Sequence, residues 1–533
     1  MALLFDIKQT RVKLVASAIA LVLSAGLAGC NDDDDDDNNN NSSESSSLQA
    51  ETQPFGWGAM YTDASGAAQG TTGGQGAAQE SIYIVTNRQE LKDALNNVRS
   101  KSYVAGDSAA EIAAKLEPKI IYWQGTIHGD ELEGGGYADA EYYKTHPNRT
   151  TFDFDLYVKG FDADYMAHLD EVIAAGGEDA AAAQEEKNLI KKQNGQRGQY
   201  ANNQKAQIQF QVPPNTTILG VGSDARLVEG YLSLNTLSQS FNATENSNII
   251  IRNITFQAPR DFAPAWDAGD GDTGNWNARY DAVSINASKN VWIDHCTFTD
   301  GEYPDGNEEV IFGHHVQRHD GLLDIEDATD YVTVSYNVFT DHDKTTIIGS
   351  GDGDEGEYHI TFSGNLWNNV TQRAPRVRWG QVHLYNNLHV GASDAGYPIL
   401  YSIGMGYRSS ILSESNGFNF AGAGVDESTI IGFYNGTKFK DVGSWYNGEL
   451  AANLNQIALD KCKSAQEEAI AKGVTPDAEE HTDWITETCT NDPGWQPPYR
   501  YTVAKSATEL ETFVKDNAGA GKLTIAIPET ASE

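Results

Sequence analysis

Two stretches about fifty residues apart hold the side chains best suited to chemistry. Arg318-His319-Asp320-Gly321-Leu322-Leu323-Asp324-Ile325 sets two carboxylates four apart beside apolar residues. Gln372-Arg373-Ala374-Pro375-Arg376-Val377-Arg378-Trp379-Gly380 clusters three guanidiniums around a proline. Carboxylates hold a hard cation through oxygen, and arginines grip anions through a planar fork of donors. Together they make a site for a negatively charged, oxygen-rich substrate. A formal charge of −39 repels such a polyanion, so local cations, a bound divalent metal among them, must overcome the global field. The same charge argues against nucleic acid as a partner.

The elements that position these residues read as strands. Alternation sends Leu323 and Ile325 into a core and points Asp324 to solvent, with Asp320 at the strand's entrance. Similar short strands recur along the centre of the chain, each ending in an aromatic or leucine with a small polar residue two positions earlier. The instances are Cys296-Thr297-Phe298, Asn337-Val338-Phe339, Asn365-Leu366-Trp367, Asn386-Asn387-Leu388 and Asn416-Gly417-Phe418. Asparagines at equivalent turns can stack into a hydrogen-bonded ladder, which suits an all-β, right-handed parallel β-helix. A β-sandwich gives no reason for asparagine and aromatic to recur together. The length of 533 residues exceeds one compact domain, but a solenoid escapes that limit because each coil contacts only its neighbours. Cys296 reads as a buried thiol within an apolar strand pattern. His314, His315 and His319 lack the helical or cysteine context of a zinc site.

The solenoid needs covered ends. Thr86 and Gln89 form a capping box ahead of a helix carrying Leu91 and Leu95, and Ser506 with Glu509 forms a second ahead of Leu510, Phe513 and Val514. The terminal helix is expected to cover one end of the solenoid, whose open strand edge would otherwise be sticky. Long loop insertions are expected at about 142–205, a helical or irregular surface excursion, and at about 443–493. Cys462 and Cys489 fall in the second, and an exported chain can oxidise them to a disulfide. The glycine-rich loops near Trp57 and Gly73 have neither the P-loop lysine nor dinucleotide spacing.

Residues 1–29 read as a leader: Lys8, Arg11 and Lys13 precede an apolar run over 14–27, too short for a confident membrane span. Leu27-Ala28-Gly29-Cys30 resembles the bacterial lipobox, which implies cleavage before Cys30 and lipid on its thiol and new amino terminus. Residues 30–53 are expected to form a tether, whose Asp, Asn and Ser run from Asn31 to Ser47 reaches on the order of 25 Å. The expected layout is therefore leader 1–29, tether 30–53 and β-helix 54–533. The chain is expected in the cell envelope, in the periplasm or on the outer-membrane surface, as a monomer touching membrane through its lipid only, or secreted.

Four motifs occur in order: Val291-Trp292-Ile293-Asp294-His295, His319-Asp320-Gly321-Leu322-Leu323-Asp324-Ile325, Asp341-His342-Asp343-Lys344 and Arg373-Ala374-Pro375-Arg376-Val377-Arg378. They resemble the signatures of pectate lyases of polysaccharide lyase family 1, from about Phe55 through Gly494-Trp495-Gln496-Pro497-Pro498-Tyr499. The resemblance implies calcium-dependent β-elimination on polygalacturonate, giving unsaturated oligogalacturonides. It implies Ca²⁺ on Asp281, Asp320 and Asp324, Arg373 as the proton-abstracting base, and Lys344 and Arg378 as substrate-binding residues. Arg376 is left between a substrate role and an outer ion pair. Arg279 stands where some relatives carry a further acidic residue, which leaves Asp267, Asp270 and Asp272 as candidates to complete the coordination. Trp292, Asp294 and His295 read as structural. Two other readings stay open, a pectin lyase acting on methyl-esterified polymer without Ca²⁺ and an inactive pectin-binding surface protein.

Overall fold

The computed structural model describes residues 48–61, 70–95, 116–235, 247–271, 273–392, 396–451 and 453–527. Cys30, the leader and most of the tether lie outside the described residues.

Parallel strands stack into three ladders that wind as a right-handed solenoid. One turn shows the pattern. Leu323–Glu326 lies in the third ladder, Asp330–Ser335 in the first and Val338–Lys344 in the second, before Ile347–Ile348 returns to the third. The residues Ile325, Ile348, Val377 and Met405 stack coil on coil in the core.

The turn between the first and second ladders carries the asparagine ladder. The backbone N–H and side-chain amide of Asn337 both donate to Asn365 Oδ1, those of Asn365 to Asn387, and those of Asn387 to Asn416. These side chains are buried, where an unpaired amide costs about 1–3 kcal/mol. The rung belongs to Asn387 rather than Asn386, so the ring two residues on is His389, not Leu388. It continues a stack of Phe256, Phe298, Phe339, Trp367, His389 and Phe418 with centroids 4.6–5.3 Å apart. Cys296 occupies an asparagine position in the turn instead of a strand, and its N–H donates to Asn337 Oδ1. It is a buried free thiol.

Helix Arg88–Leu95 closes one end, burying Leu91, Ala94 and Leu95 in the core. Its cap is shifted by one from the expected box: Asn87 Oδ1 accepts from Glu90 N, and Glu90 accepts from Thr86. The other end is closed by helix Leu454–Ala471, with Leu454 and Ala458 in the core and Cys462 bonded to Cys489. Helix Ala507–Asn517 has the Ser506 cap but lies along the flank, where Leu510, Phe513 and Val514 pack on Tyr336 and Leu388. It is not an end cap, because its apolar face matches the ridge of the turns instead of an open strand edge. The same ridge takes Leu48 and Ala50, and Tyr336 accepts from Glu51 N–H. The folded body thus begins before residue 54.

Candidate active site

The outward face of the third ladder carries the chemistry. Asp324 alternates with core residues and pairs with Ser284 on the preceding coil. The following coils place Ile347, Arg376 and Gly404 on the same line, about 4.8 Å apart per coil. Carboxylates therefore occupy one part of the face and arginines the next.

A groove of about 920 Å³ opens over the acidic part, lined by Asp281, Asp320, Asp324 and Glu326 together with Arg279 and Lys205. Asp281 accepts from Ser284 Oγ at 2.5 Å and from Gly321 N–H at 3.1 Å. Asp324 accepts from Ile347 N–H at 3.0 Å and is buried, not turned freely into solvent. Gly321 makes this possible, since a Cβ there would lie 2.3 Å from an Asp324 carboxylate oxygen. Burial, then Asp320, raises the Asp281 pKa well above the carboxylate range, although Ser284 opposes this. Burial, then Asp281, Glu326 and Asp320, does the same to Asp324, against Arg373. Glu326 is pushed up to about 7 by burial and by the charges of Asp320, Asp327 and Asp354. The cluster is thus electrostatically frustrated and suited to a cation.

The cations differ in their engagements. Arg373 has a positive φ of 59°, and its carbonyl accepts from Thr345 Oγ1 and Thr346 N–H, which fix the backbone. Among the described residues its buried Nε has no hydrogen-bond partner. Burial pulls its pKa down, but Asp324 and Asp320 outweigh this and hold it above the ordinary value. Lys344 is buried and donates to Asn277 Oδ1 at 3.1 Å, while His342 bridges the Lys344 carbonyl and Asp300. Arg378 is ion-paired with Asp352 at 3.0 Å and donates to Gly349 O, so a substrate carboxylate must share or displace that partner. Arg376 makes no ion pair among the described residues and lies 3.7 Å from the Tyr434 ring centroid, which removes the outer ion-pair role.

Several groove residues were not legible as such. Glu326 continues the alternation from Asp324, a signal available in Leu-Asp-Ile-Glu. Lys205 comes from helix Glu178–Ile208, so the expected surface excursion forms a wall of the groove. Among the other candidate ligands, Asp267 and Asp270 lie outside the groove lining, on a hairpin joining Ala265–Asp267 to Asn275–Asn277; Asp272 is outside the described residues. Trp292, Asp294 and His295 sit in a buried network with Ser335 and Arg252 on the first ladder.

A family model described as pectate lyase matches residues 178–523. A pectate lyase of Bacillus subtilis is 34% identical over 478 residues, spanning 88% of this chain and 92% of that one. The chain belongs to the pectate lyase family. Pectate lyase E of Dickeya chrysanthemi is 37% identical over 330 residues, covering 60% of this chain and 74% of that protein. A solved pectate lyase bound to a hexasaccharide superposes with a TM-score of 0.66 at 31% identity, over 88% of this chain and 97% of that chain. The pectate lyase from Acidovorax avenae subsp citrulli gives 0.63 at 27% identity, over 92% and 99%. The family's fold is therefore shared across nearly the whole described body, including the ladder that bears the groove.

Proposed function

We propose that this chain cleaves α-1,4-polygalacturonate by β-elimination with the aid of calcium. The single observation that carries the reading is the placement, on one outward face, of a buried carboxylate cluster beside an Arg373 guanidinium whose strongest charged neighbour is Asp324. A similar solved structure, 31% identical, is described in terms of the anti β-elimination mechanism of pectate lyase.

Among the described residues no group of three or more His, Cys, Asp or Glu side chains is gathered as a metal site by itself. The fit is of an open kind. Asp281, Asp320 and Asp324 offer oxygen donors only, repel one another and line the same groove, as a hard cation completed by water or substrate requires. Asp281, Asp320 and Asp324 would hold calcium, which when bound would supply positive charge to offset the substrate's carboxylate. Burial opposes the charge on Arg373, while Asp324 and Asp320 support it. In its deprotonated form Arg373 takes the C5 proton, the freed pair forms the C4–C5 double bond, and the C4–oxygen bond breaks, its oxygen taking a proton from water. Lys344 and Arg378 hold uronate carboxylates, as a point charge and a fork respectively.

The test is absorbance of the unsaturated product on polygalacturonate, with and without chelator. Calcium-restored product formation supports the reading; chelator-resistant cutting of esterified pectin, or binding without product, overturns it. The pKa shifts add a second expectation. Asp281, Asp324 and Glu326 hold protons in the folded protein that the unfolded chain has already released, so the stability they contribute is complete below their unfolded pKa values and lost as pH rises through their raised folded values, about 7 for Glu326. Calcium binds the ionised form. Its gain in Tm over chelator is expected to be small near about pH 5 and larger near about pH 8; an equal gain at both would remove the carboxylates as its ligands.

We propose also that Cys30 is lipidated, placing a monomeric enzyme on the cell envelope. Leu48 and Ala50, among the first described residues of the tether, dock on the ridge between the first and second ladders. Palmitate labelling that persists in Cys30→Ala would refute the anchor.

A further inference from the structure

Arg376 has no task in the reaction described above, yet its surroundings are those of a binding residue. Val377 turns into the core and Arg376 outward, in register with Ile347 on one side and Gly404 on the other. Its Nε is buried without a hydrogen-bond partner, and among the described residues no carboxylate pairs with it. The guanidinium lies over Tyr434, 3.7 Å from the ring centroid. The absence of a side chain at Gly404 lets it lie there, since a Cβ would sit 2.8 Å from Arg376 Cγ and 3.0 Å from the Tyr401 ring. Burial, then the neighbouring charges of Arg378 and Arg373, pull its pKa down to about 10 against the opposing influence of Tyr401 and Tyr434.

A chain with 76 acidic against 37 basic residues has ample carboxylates to pair an arginine, and this one is left unpaired among other arginines. A partly desolvated cation of that kind is costly unless an anion arrives from outside. A guanidinium seated on an aromatic ring can still present its N–H edge to a carboxylate.

We propose that Arg376, seated on Tyr434, is a separate subsite for a uronate carboxylate beside Arg373 and Arg378, and that it selects non-esterified galacturonate over its methyl ester. The inference rests on the pectate-cleaving reading for its substrate class. A methyl ester has the same shape but no charge, so it leaves the guanidinium unpaired.

The experiment compares Arg376→Gln with the wild type on polygalacturonate and on highly methyl-esterified pectin. KM on polygalacturonate is expected to rise about tenfold, with kcat changing less than about threefold and KM on esterified pectin unchanged. Arg376→Lys should recover part of the loss. Tyr434→Leu keeps the charge but removes its support, and should raise KM about threefold on polygalacturonate alone. Equal losses on both polymers, or a fall in Tm with no change in preference, would reduce Arg376 to a packing cation and overturn the inference. Calorimetric titration of hexagalacturonate and its methyl ester into wild type and variant separates this from failure of the lyase reading. A wild type that binds but does not cut sinks only the latter, while identical affinities for variant and wild type sink the subsite.

Discussion

Arg373→Ala is expected to lower kcat on polygalacturonate by about 10²–10⁴-fold, the range for losing a positioned general base. The fold should survive, for reasons visible around the residue. The Arg373 backbone is held by Thr345 and Thr346 through its carbonyl, and the side-chain Nε has no partner to lose. Alanine tolerates the positive φ of 59° no worse than arginine does. Circular dichroism and Tm should therefore stay near wild type while product absorbance disappears. A variant keeping more than a tenth of the wild-type rate would exclude Arg373 as the base. A collapse in Tm would show that the side chain holds the turn, and the kinetic loss would then say nothing about chemistry.

Asp324→Ala has the second largest expected effect, and it points in two directions. The calcium concentration for half-maximal activity should rise by about 10–100-fold, as for loss of a residue that holds or orients a metal. In chelator, however, the variant should melt no lower than wild type at alkaline pH. Asp324 is buried among Asp281, Asp320 and Glu326, so removing it relieves repulsion that calcium otherwise relieves. The lost hydrogen bond from Ile347 N–H offsets part of that gain. Gly321→Ala should mimic the calcium defect without removing any charge, because its Cβ would displace the Asp324 carboxylate. An unchanged calcium titration in both variants would remove Asp324 from the metal site.

The repeat of small polar residue and aromatic makes the solenoid legible in the sequence, because every coil meets the same two demands, a satisfied turn and a filled core. Where one coil departs from consensus, local reading slipped. Asn386 and Asn387 are adjacent in sequence, and only the neighbouring rungs show that Asn387 carries the ladder. Similarly, Thr86 and Asn87 both suit a helix cap, and the choice depends on where Glu90 can reach. The Ser506 helix was legible with its cap, but its resting place on the flank follows from Tyr336 and Leu388, which lie far away in the chain.

The active-site candidates follow the same division. Alternation along Leu323-Asp324-Ile325-Glu326 and the cluster of three arginines fix residue types and facing, since a strand's side chains take opposite faces in turn. Distances across coils depend on register, which no single stretch of chain encodes. That Arg378 pairs with Asp352 while Arg376 lies on Tyr434 with no ion pair among the described residues, and that Lys205 reaches the groove from a helix inserted between coils, follows only from the stacked solenoid. Periodicity in one dimension names the chemistry available; partners more than a coil away are set by packing, and packing decides which charges remain free to bind.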